Sequence, residues 1–285
     1  MRRGIRAVWA ASALSVALVA GAAQAAVLPP IVSSVADYEP RLVRPTSAAP
    51  GTGFAIDTNI DTPSDADNLR IGGQSRFRIG SAYFFALPAL AAGESVANAG
   101  LRFTQIPDSA ATGTVPVFNA DLRVVGITQD ISVANDPDSP QVAETVNPAL
   151  SALLYNDTAT DDRDGIGTPL PRVVVQDNFL TPAQYLANGS GANAVRETNA
   201  LAGLTLAGYL NALYASGVPA NSFLIVTLNP DAPPDDVINN RYQLASANAA
   251  AGLQPTLTID VVPEPSALGL LGLAAAGLLA RRRRA

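Results

Sequence analysis

The sequence of 285 residues has no cysteine, no histidine and no lysine, so all 18 of its positive side chains are arginine. Without histidine there is no Ser-His-Asp triad and no histidine-ligated zinc. Without cysteine there is no thiolate nucleophile, thiolate metal site or disulfide. Without lysine there is no Schiff base and no Walker phosphate site. The catalytic sets that remain rely on paired carboxylates, Tyr, Arg or metals with oxygen ligands.

Charge is separated along the chain. Arginines stand at both ends, whereas residues 26–262 contain eleven Arg and twenty-three Asp or Glu, a net charge of −12. An acidic domain of this kind is repelled by phosphate backbones, so we expect no nucleic-acid partner. The acidic surface favours solubility or cation binding.

The first 25 residues have the organisation of a secretory signal peptide. Arg2, Arg3 and Arg6 precede an apolar stretch over residues 7–19, and Ala23-Gln24-Ala25 supplies the small residues that a signal peptidase accepts. Ala23 and Ala25 are therefore the predicted peptidase site, with cleavage after Ala25. We expect an exported domain over residues 26–262.

The last 23 residues have three parts in a fixed order. The triplet Pro263, Glu264 and Pro265 leads into an uncharged run over residues 267–280. Four arginines follow, namely Arg281, Arg282, Arg283 and Arg284. Fourteen helical residues extend about 21 Å, short of a hydrocarbon core of about 30 Å. The terminal position and the Arg cluster nevertheless favour a single membrane helix, with the arginines in the cytoplasm and the domain outside.

This order resembles the PEP-CTERM sorting signal, whose members are recognised by exosortases in bacteria that make exopolysaccharide. The resemblance covers residues 263–285. It implies a temporary membrane anchor that is cut near the Pro-Glu-Pro triplet, after which the domain joins the cell surface or extracellular matrix. A permanent tail anchor with a chance triplet is the alternative.

Between the two signals, short β-prone segments alternate with Pro, Gly, Asn and Asp, a pattern typical of a sandwich or barrel. Nine strands are predicted, over residues 41–43, 68–71, 82–87, 100–105, 122–128, 172–176, 223–228, 241–245 and 256–261. Leu257-Thr258-Ile259-Asp260 alternates apolar and polar residues, which indicates one wet face. Phe223-Leu224-Ile225-Val226 is continuously apolar, as a strand buried on both sides would be. We therefore expect an all-β fold with two packed sheets.

One or two short helices should interrupt the strands. Thr181-Pro182-Ala183-Gln184 has the spacing of a capping box with Pro at the first helical position, which predicts a helix through Leu186. Leu206, Tyr209, Leu210, Leu213 and Tyr214 share one helical face, with Thr205 as the expected N-cap and Gly217 as the stop. Residues 130–167 lack a pattern and are predicted to form a long surface loop.

The body also resembles the DNRLRE-type jelly-roll modules. The matching segments are Asn68-Leu69-Arg70-Ile71-Gly72, an aromatic strand at 82–88, Val96-Ala97-Asn98-Ala99-Gly100-Leu101-Arg102-Phe103, and the Pro-led strand at 254–259. The resemblance implies a jelly-roll-like β-sandwich similar to carbohydrate-binding modules and used for surface attachment. It brings no catalytic residues with it.

An Asp-rich segment at 160–165 resembles part of a calcium loop, in which Asp162 and Asp164 would be ligands. The bidentate Glu of an EF-hand is missing, so the alternatives are a looser structural calcium site and a solvated acidic loop. No other cofactor is expected.

These patterns favour a non-enzymatic structural or adhesive protein of the cell surface or exopolysaccharide matrix. The partners expected are signal peptidase, exosortase, the membrane and extracellular polysaccharide. One alternative is a carbohydrate-binding module that uses Arg70, Arg102 and Tyr83 on a wet sheet face. A further alternative is a glycan-cleaving enzyme with two carboxylates, although the only Trp, Trp9, lies in the predicted signal peptide.

Overall fold

A computed structural model describes residues 26–33, 37, 39, 41–44, 46–49, 55–56, 68–74, 76–107, 115–129, 173–187, 193–231 and 240–263. The predicted signal peptide, the loop at 130–167 with its calcium candidates, and the tail beyond Pro263 lie outside these residues. The described part contains two antiparallel sheets and few helices, as expected for an all-β sandwich.

The larger sheet has ten strands: β1 (Ala26–Val27), β2 (Ile31–Val32), β3 (Arg41–Val43), β4 (Ala55–Ile56), β5 (Asn68–Gln74), β6 (Phe77–Ile79), β8 (Glu94–Gln105), β11 (Ala194–Glu197), β13 (Asn240–Ala245) and β14 (Thr256–Pro263). Its order is β1-β14-β8-β13-β5-β6-β3-β4, with β11 paired to β8 and β2 paired to β14. The smaller sheet contains β7 (Ser81–Ala86), β9 (Ala120–Thr128), β10 (Val173–Leu180) and β12 (Phe223–Pro230), in the order β10-β9-β12-β7.

All nine predicted strands are confirmed, with ends that differ by a few residues. The five strands that the sequence did not indicate are β1, β2, β4, β6 and β11, each two to four residues long. Such segments are too short to show an alternating pattern.

The core lies between the sheets. Leu257, Ile259 and Val261 of β14 are buried, whereas the residues between them are partly exposed, which confirms the wet outer face of this strand. Strand β12 is buried on both sides from Leu224 onward, also as predicted. Aromatic rings fill the centre: the ring of Phe103 lies 4.9 Å from that of Tyr83 and 5.7 Å from that of Phe179.

Helix α1 (Pro182–Ala187) begins with the predicted capping box. The Gln184 amide N–H donates to the Thr181 hydroxyl at 3.2 Å, and the Thr181 N–H donates to the Gln184 side-chain oxygen at 2.9 Å. Both orphan donors of this helix end are therefore satisfied locally.

Helix α2 (Ala200–Ser216) corrects one prediction. Asn199, and not Thr205, is its N-cap: the Asn199 side-chain oxygen accepts from the Ala202 N–H at 2.9 Å. Thr205 lies inside the helix and donates to the Leu201 carbonyl at 3.0 Å. The apolar face starts several residues after the true helix start, which is why the periodicity misplaced it. Gly217, with φ of 86°, ends the helix as expected.

Helix α2 packs directly on β8. The Asn211 side-chain amide forms the two hydrogen bonds to Val96 that the backbone of a neighbouring strand would form. Its oxygen accepts from the Val96 N–H and its nitrogen donates to the Val96 carbonyl, both at 2.8 Å. Nearer the helix start, Gly203 leaves no room for a side chain: a Cβ there would lie 2.8 Å from the Ala99 carbonyl oxygen. The helix thus covers backbone groups of β8 that would otherwise face solvent.

Two glycines of α2 provide a matched test of this packing. Gly203→Ala should destabilise the domain by about 1–3 kcal/mol, because the clash with β8 outweighs the better helix propensity. Gly208→Ala has nothing within 4 Å of its new Cβ and should stabilise the domain by about 0.5–1 kcal/mol. Urea unfolding of both variants measures the difference. Equal stabilisation by the two substitutions would contradict the helix position.

Candidate functional site

The two ends of the described chain lie side by side. Strand β1 pairs with β14 in antiparallel register, Ala26 with Val261 and Val27 with Asp260. The pairing continues through the Leu28 N–H, which donates to the Ile259 carbonyl at 3.0 Å, and through strand β2. The first residues after the predicted signal peptidase site therefore form the edge strand beside the residues that lead into the sorting motif.

The other side of β14 is held by β8. The two strands pair from Thr256–Arg102 to Pro263–Glu94, with one bulge between Asp260 and Val261. Pro263, the first residue of the Pro-Glu-Pro triplet, thus belongs to the sheet and is exposed at its end. Glu94 is fixed there, since its side chain accepts from the Ala91 N–H at 2.8 Å. We call the end of the sandwich that carries Ala26, Glu94 and Pro263 the processing end.

An uncharged groove of about 440 Å³ opens at the connection that leads into β8. It is formed by the connection from β7 to β8 and by the connection from α2 to β12, with lining residues Leu87, Pro88, Ala89, Leu90, Tyr214, Gly217, Val218, Pro219, Ala220 and Asn221. The two connections are joined by the Tyr214 hydroxyl, which donates to the Pro88 carbonyl, and by the Leu87 N–H, which donates to the Ser222 carbonyl, both at 2.8 Å. Partial burial raises the pKa of Tyr214 to about 12, so this lining carries no charge at neutral pH.

The structure does not bring together the three residues predicted for glycan contact. Tyr83 is fully buried in the core, where it packs on Phe103. Arg70 forms a two-pronged ion pair with buried Glu39, in which Nε and Nη2 lie 3.0 Å from the two carboxylate oxygens. The continuous aromatic sequence of β7 is buried on both sides, so the wet position expected for Tyr83 was wrong.

Arg102 is at the surface, as predicted, with 33% of its side chain exposed. Its guanidinium donates to the Gly252 carbonyl at 3.1 Å and lies 3.6 Å from the Glu197 carboxylate. Its neighbours across and along the outer faces of β8 and β14 are polar, namely Asn98, Thr256, Thr258 and Asp260. Arg102 and these four residues are called the polar row.

Several buried carboxyl groups have structural partners. Asp37 accepts from the Ser33 hydroxyl at 2.7 Å, the Ala247 N–H at 3.1 Å and the Phe84 N–H at 3.3 Å. Burial nevertheless outweighs these hydrogen bonds and raises the pKa of Asp37 to about 8. Asp121 lies 2.8 Å from the Arg123 guanidinium and accepts from the Asn178 N–H. These contacts hold segments together inside the fold.

In the part of the chain that the structure describes, no three Asp or Glu side chains converge as a metal site would require. Asp162 and Asp164 lie outside that part, so the calcium site stays a prediction. Neither described helix has the length and hydropathy needed to cross a bilayer.

Comparison with known families agrees with the end of the chain. The PEP-CTERM protein-sorting motif family matches residues 261–284, which confirms the sorting motif. A search of the curated proteins finds no match for this chain. The individual roles of Glu264, Pro265 and Arg281 to Arg284, and of Ala23 and Ala25 at the other end, stay predictions.

The sequence did not reveal that both ends share one strand pair. Strand β1 has only two residues, and Glu94 carries no signature of a pairing with Pro263. The groove, likewise, is built from two connections that lie more than a hundred residues apart.

Asp37 makes the stability of the domain depend on pH. The unfolded chain loses the Asp37 proton near pH 4, whereas the folded domain keeps it to about pH 8. The contribution of Asp37 to the free energy of unfolding is therefore fully present below pH 4 and is lost as the pH rises through 8. The wild-type domain should lose stability over this range, whereas Asp37→Asn should not. Measured by urea unfolding between pH 5 and 8, the free energy of unfolding of Asp37→Asn minus that of wild type should rise by about 1 kcal/mol per pH unit.

The non-titrating variant Thr205→Ala should run parallel to wild type over the same pH range. Parallel curves for Asp37→Asn and wild type would contradict the assignment of this pH dependence to Asp37.

Proposed function

We propose that this chain is an exported, exosortase-processed protein with a non-catalytic structural or adhesive role at the cell surface or in the exopolysaccharide matrix. The sorting motif matched at residues 261–284 supports export and exosortase sorting. The observation that carries the proposal is that the motif starts at the end of a fully paired strand. A cut beyond Pro263 would therefore release a domain with an intact sheet.

The non-catalytic role is supported by the chemistry of the chain. Histidine, cysteine and lysine are absent. Among the buried carboxyl groups of the described residues, Glu39 and Asp121 are paired with arginines, and Asp37 is bound by backbone and hydroxyl donors. Carboxyl groups held in this way are unavailable to act as the acid and base of a glycosidase.

The strand order supports a jelly roll as the finer description of the sandwich. Strands β5-β13-β8-β11 form one side and β7-β12-β9-β10 the other. Most connections between these strands cross from one sheet to the other, as in a jelly roll. Strands β14, β1 and β2 are additions to the larger sheet beside β8.

We also propose that residues 267–280 anchor the precursor in the membrane until processing. The uncharged run is followed by four arginines, which favours an orientation with the C-terminus in the cytoplasm. The leader and the tail would then hold the same end of the domain, because Ala26 and Pro263 both lie at the processing end.

Sorting is tested in cells with and without the exosortase. Wild-type cells should release a chain that lacks the tail, whereas the deficient strain should retain a membrane-bound chain with the tail, as measured by fractionation and intact mass. Glu264→Ala in wild-type cells should behave like the deficient strain, and Ser266→Ala should be processed normally. A full-length chain with leader and tail, dissolved in the cytosol of wild-type cells, would refute the proposal.

A second candidate function is polysaccharide binding by the polar row. The observation in its favour is a surface Arg102 surrounded by hydroxyl, amide and carboxylate groups on the wet face of β8 and β14. Such groups can hydrogen-bond sugar hydroxyls.

Affinity electrophoresis in the exopolysaccharide of the producing bacterium tests this candidate. Arg102→Ala should weaken retardation about tenfold, since a hydrogen bond to a charged group contributes about 1.5–3 kcal/mol. Asp177→Ala, on the smaller sheet, should bind like wild type. An unretarded wild-type domain would eliminate this candidate and leave the structural role.

A further inference from the structure

The distance between the folded domain and the apolar run of the tail is short. Pro263 is the last strand residue, and only Glu264, Pro265 and Ser266 separate it from Ala267. Four extended residue steps reach at most about 14 Å. If Ala267 marks the edge of the hydrocarbon core, the end of β14 lies within that distance of it.

Lipid headgroups occupy about half of this gap. The headgroup regions add about 5–8 Å to each side of the hydrocarbon core. A folded domain attached through three residues therefore stays within about 9 Å of the headgroups at the end of β14, and the part nearest to Pro263 lies closest to them.

A groove without charged side chains adjoins the strand that pairs with Pro263. Pro263 pairs with Glu94, and the connection that leads into Glu94 forms one wall of the uncharged groove. The lining of the groove has no charged side chain, although residues 26–262 carry a net charge of −12. Anionic headgroups repel acidic surface, so an uncharged surface is the one that an acidic domain can bring against a bilayer at least cost.

We propose that the uncharged groove next to the processing end forms the surface by which the uncut precursor contacts the lipid headgroups. This rests on the proposed function, because it requires the tail to be inserted in the bilayer. Strand β14 then points toward the membrane. The connection between β13 and β14, at the other end of eight strand residues, lies about 26 Å further away.

The absence of cysteine allows this contact to be measured at single positions. Ala89→Cys and Ala220→Cys place a fluorescent label on the two walls of the groove, and Ala251→Cys places it in the connection before β14; all three residues are exposed. The labelled chain, with the tail intact, is reconstituted into vesicles of phosphatidylcholine and phosphatidylglycerol that carry a nitroxide quencher on the headgroup.

The labels at 89 and 220 should be quenched several-fold more than the label at 251. The same labels on a chain that ends at Pro263 should lose this difference, because the tether is gone. Ala220→Glu should reduce the quenching of the label at 89, since it adds a negative charge to the groove, whereas Ala251→Glu should not.

Equal quenching at all three positions, with the tail inserted, would overturn the proposal and leave sorting intact. The proposal would also be overturned if removing the tail changed the fluorescence of the labels at 89 and 220 in the absence of vesicles. The tail itself would then occupy the groove. If the full chain does not float with vesicles at all, the membrane anchor fails, and the lipid contact fails with it.

Discussion

Strand β14 is the element on which the architecture of both chain ends depends. Its backbone is paired with β8 along its whole length and with β1 and β2 on the opposite side. The N-terminal strands close an edge that would otherwise offer free N–H and C=O groups to other chains. Pro29 and Pro30, which lie between them, cannot donate to a further strand, so the new edge is itself protected.

Polar contacts hold the segment that follows β2. Asp37 joins Ser33 to the backbone of Phe84 in one sheet and of Ala247 beyond the other. Glu39 joins the same segment to Arg70 of β5 through two hydrogen-bonded prongs. Burying the charge of Glu39 is costly unless it is matched, as it is by Arg70, whereas burial keeps Asp37 protonated to about pH 8. These contacts attach Ser33, Asp37 and Glu39, which follow β2, to the body of the fold.

The sequence predicted the framework well because its longer elements obey simple periods. Alternation located β14, continuous apolar residues located β12, and a capping box located α1. Prediction from the sequence failed where contacts between residues far apart in the chain determine the structure. The sequence around Arg70 does not indicate that its partner is Glu39, which lies 31 positions earlier. Because this pairing is not visible in the sequence, the polar residues of β5 suggested a glycan-binding surface. The fold covers that surface. The start of α2 was missed because Asn199 caps a first turn whose Leu201 and Leu204 face outward.

The same geometry explains why processing at the C-terminus need not disturb the domain. Strand β14 keeps its pairs with β8 as far as Pro263. A cut beyond Pro263 breaks no strand pair, whereas a cut before Val261 would remove the last three residues of the strand, among them the partner of Ala26. Each lost backbone pair would leave groups of β8 and β1 to be satisfied by water alone, at a net cost of about 1 kcal/mol per hydrogen bond. The end of the paired strand therefore coincides with the first residue of the Pro-Glu-Pro triplet.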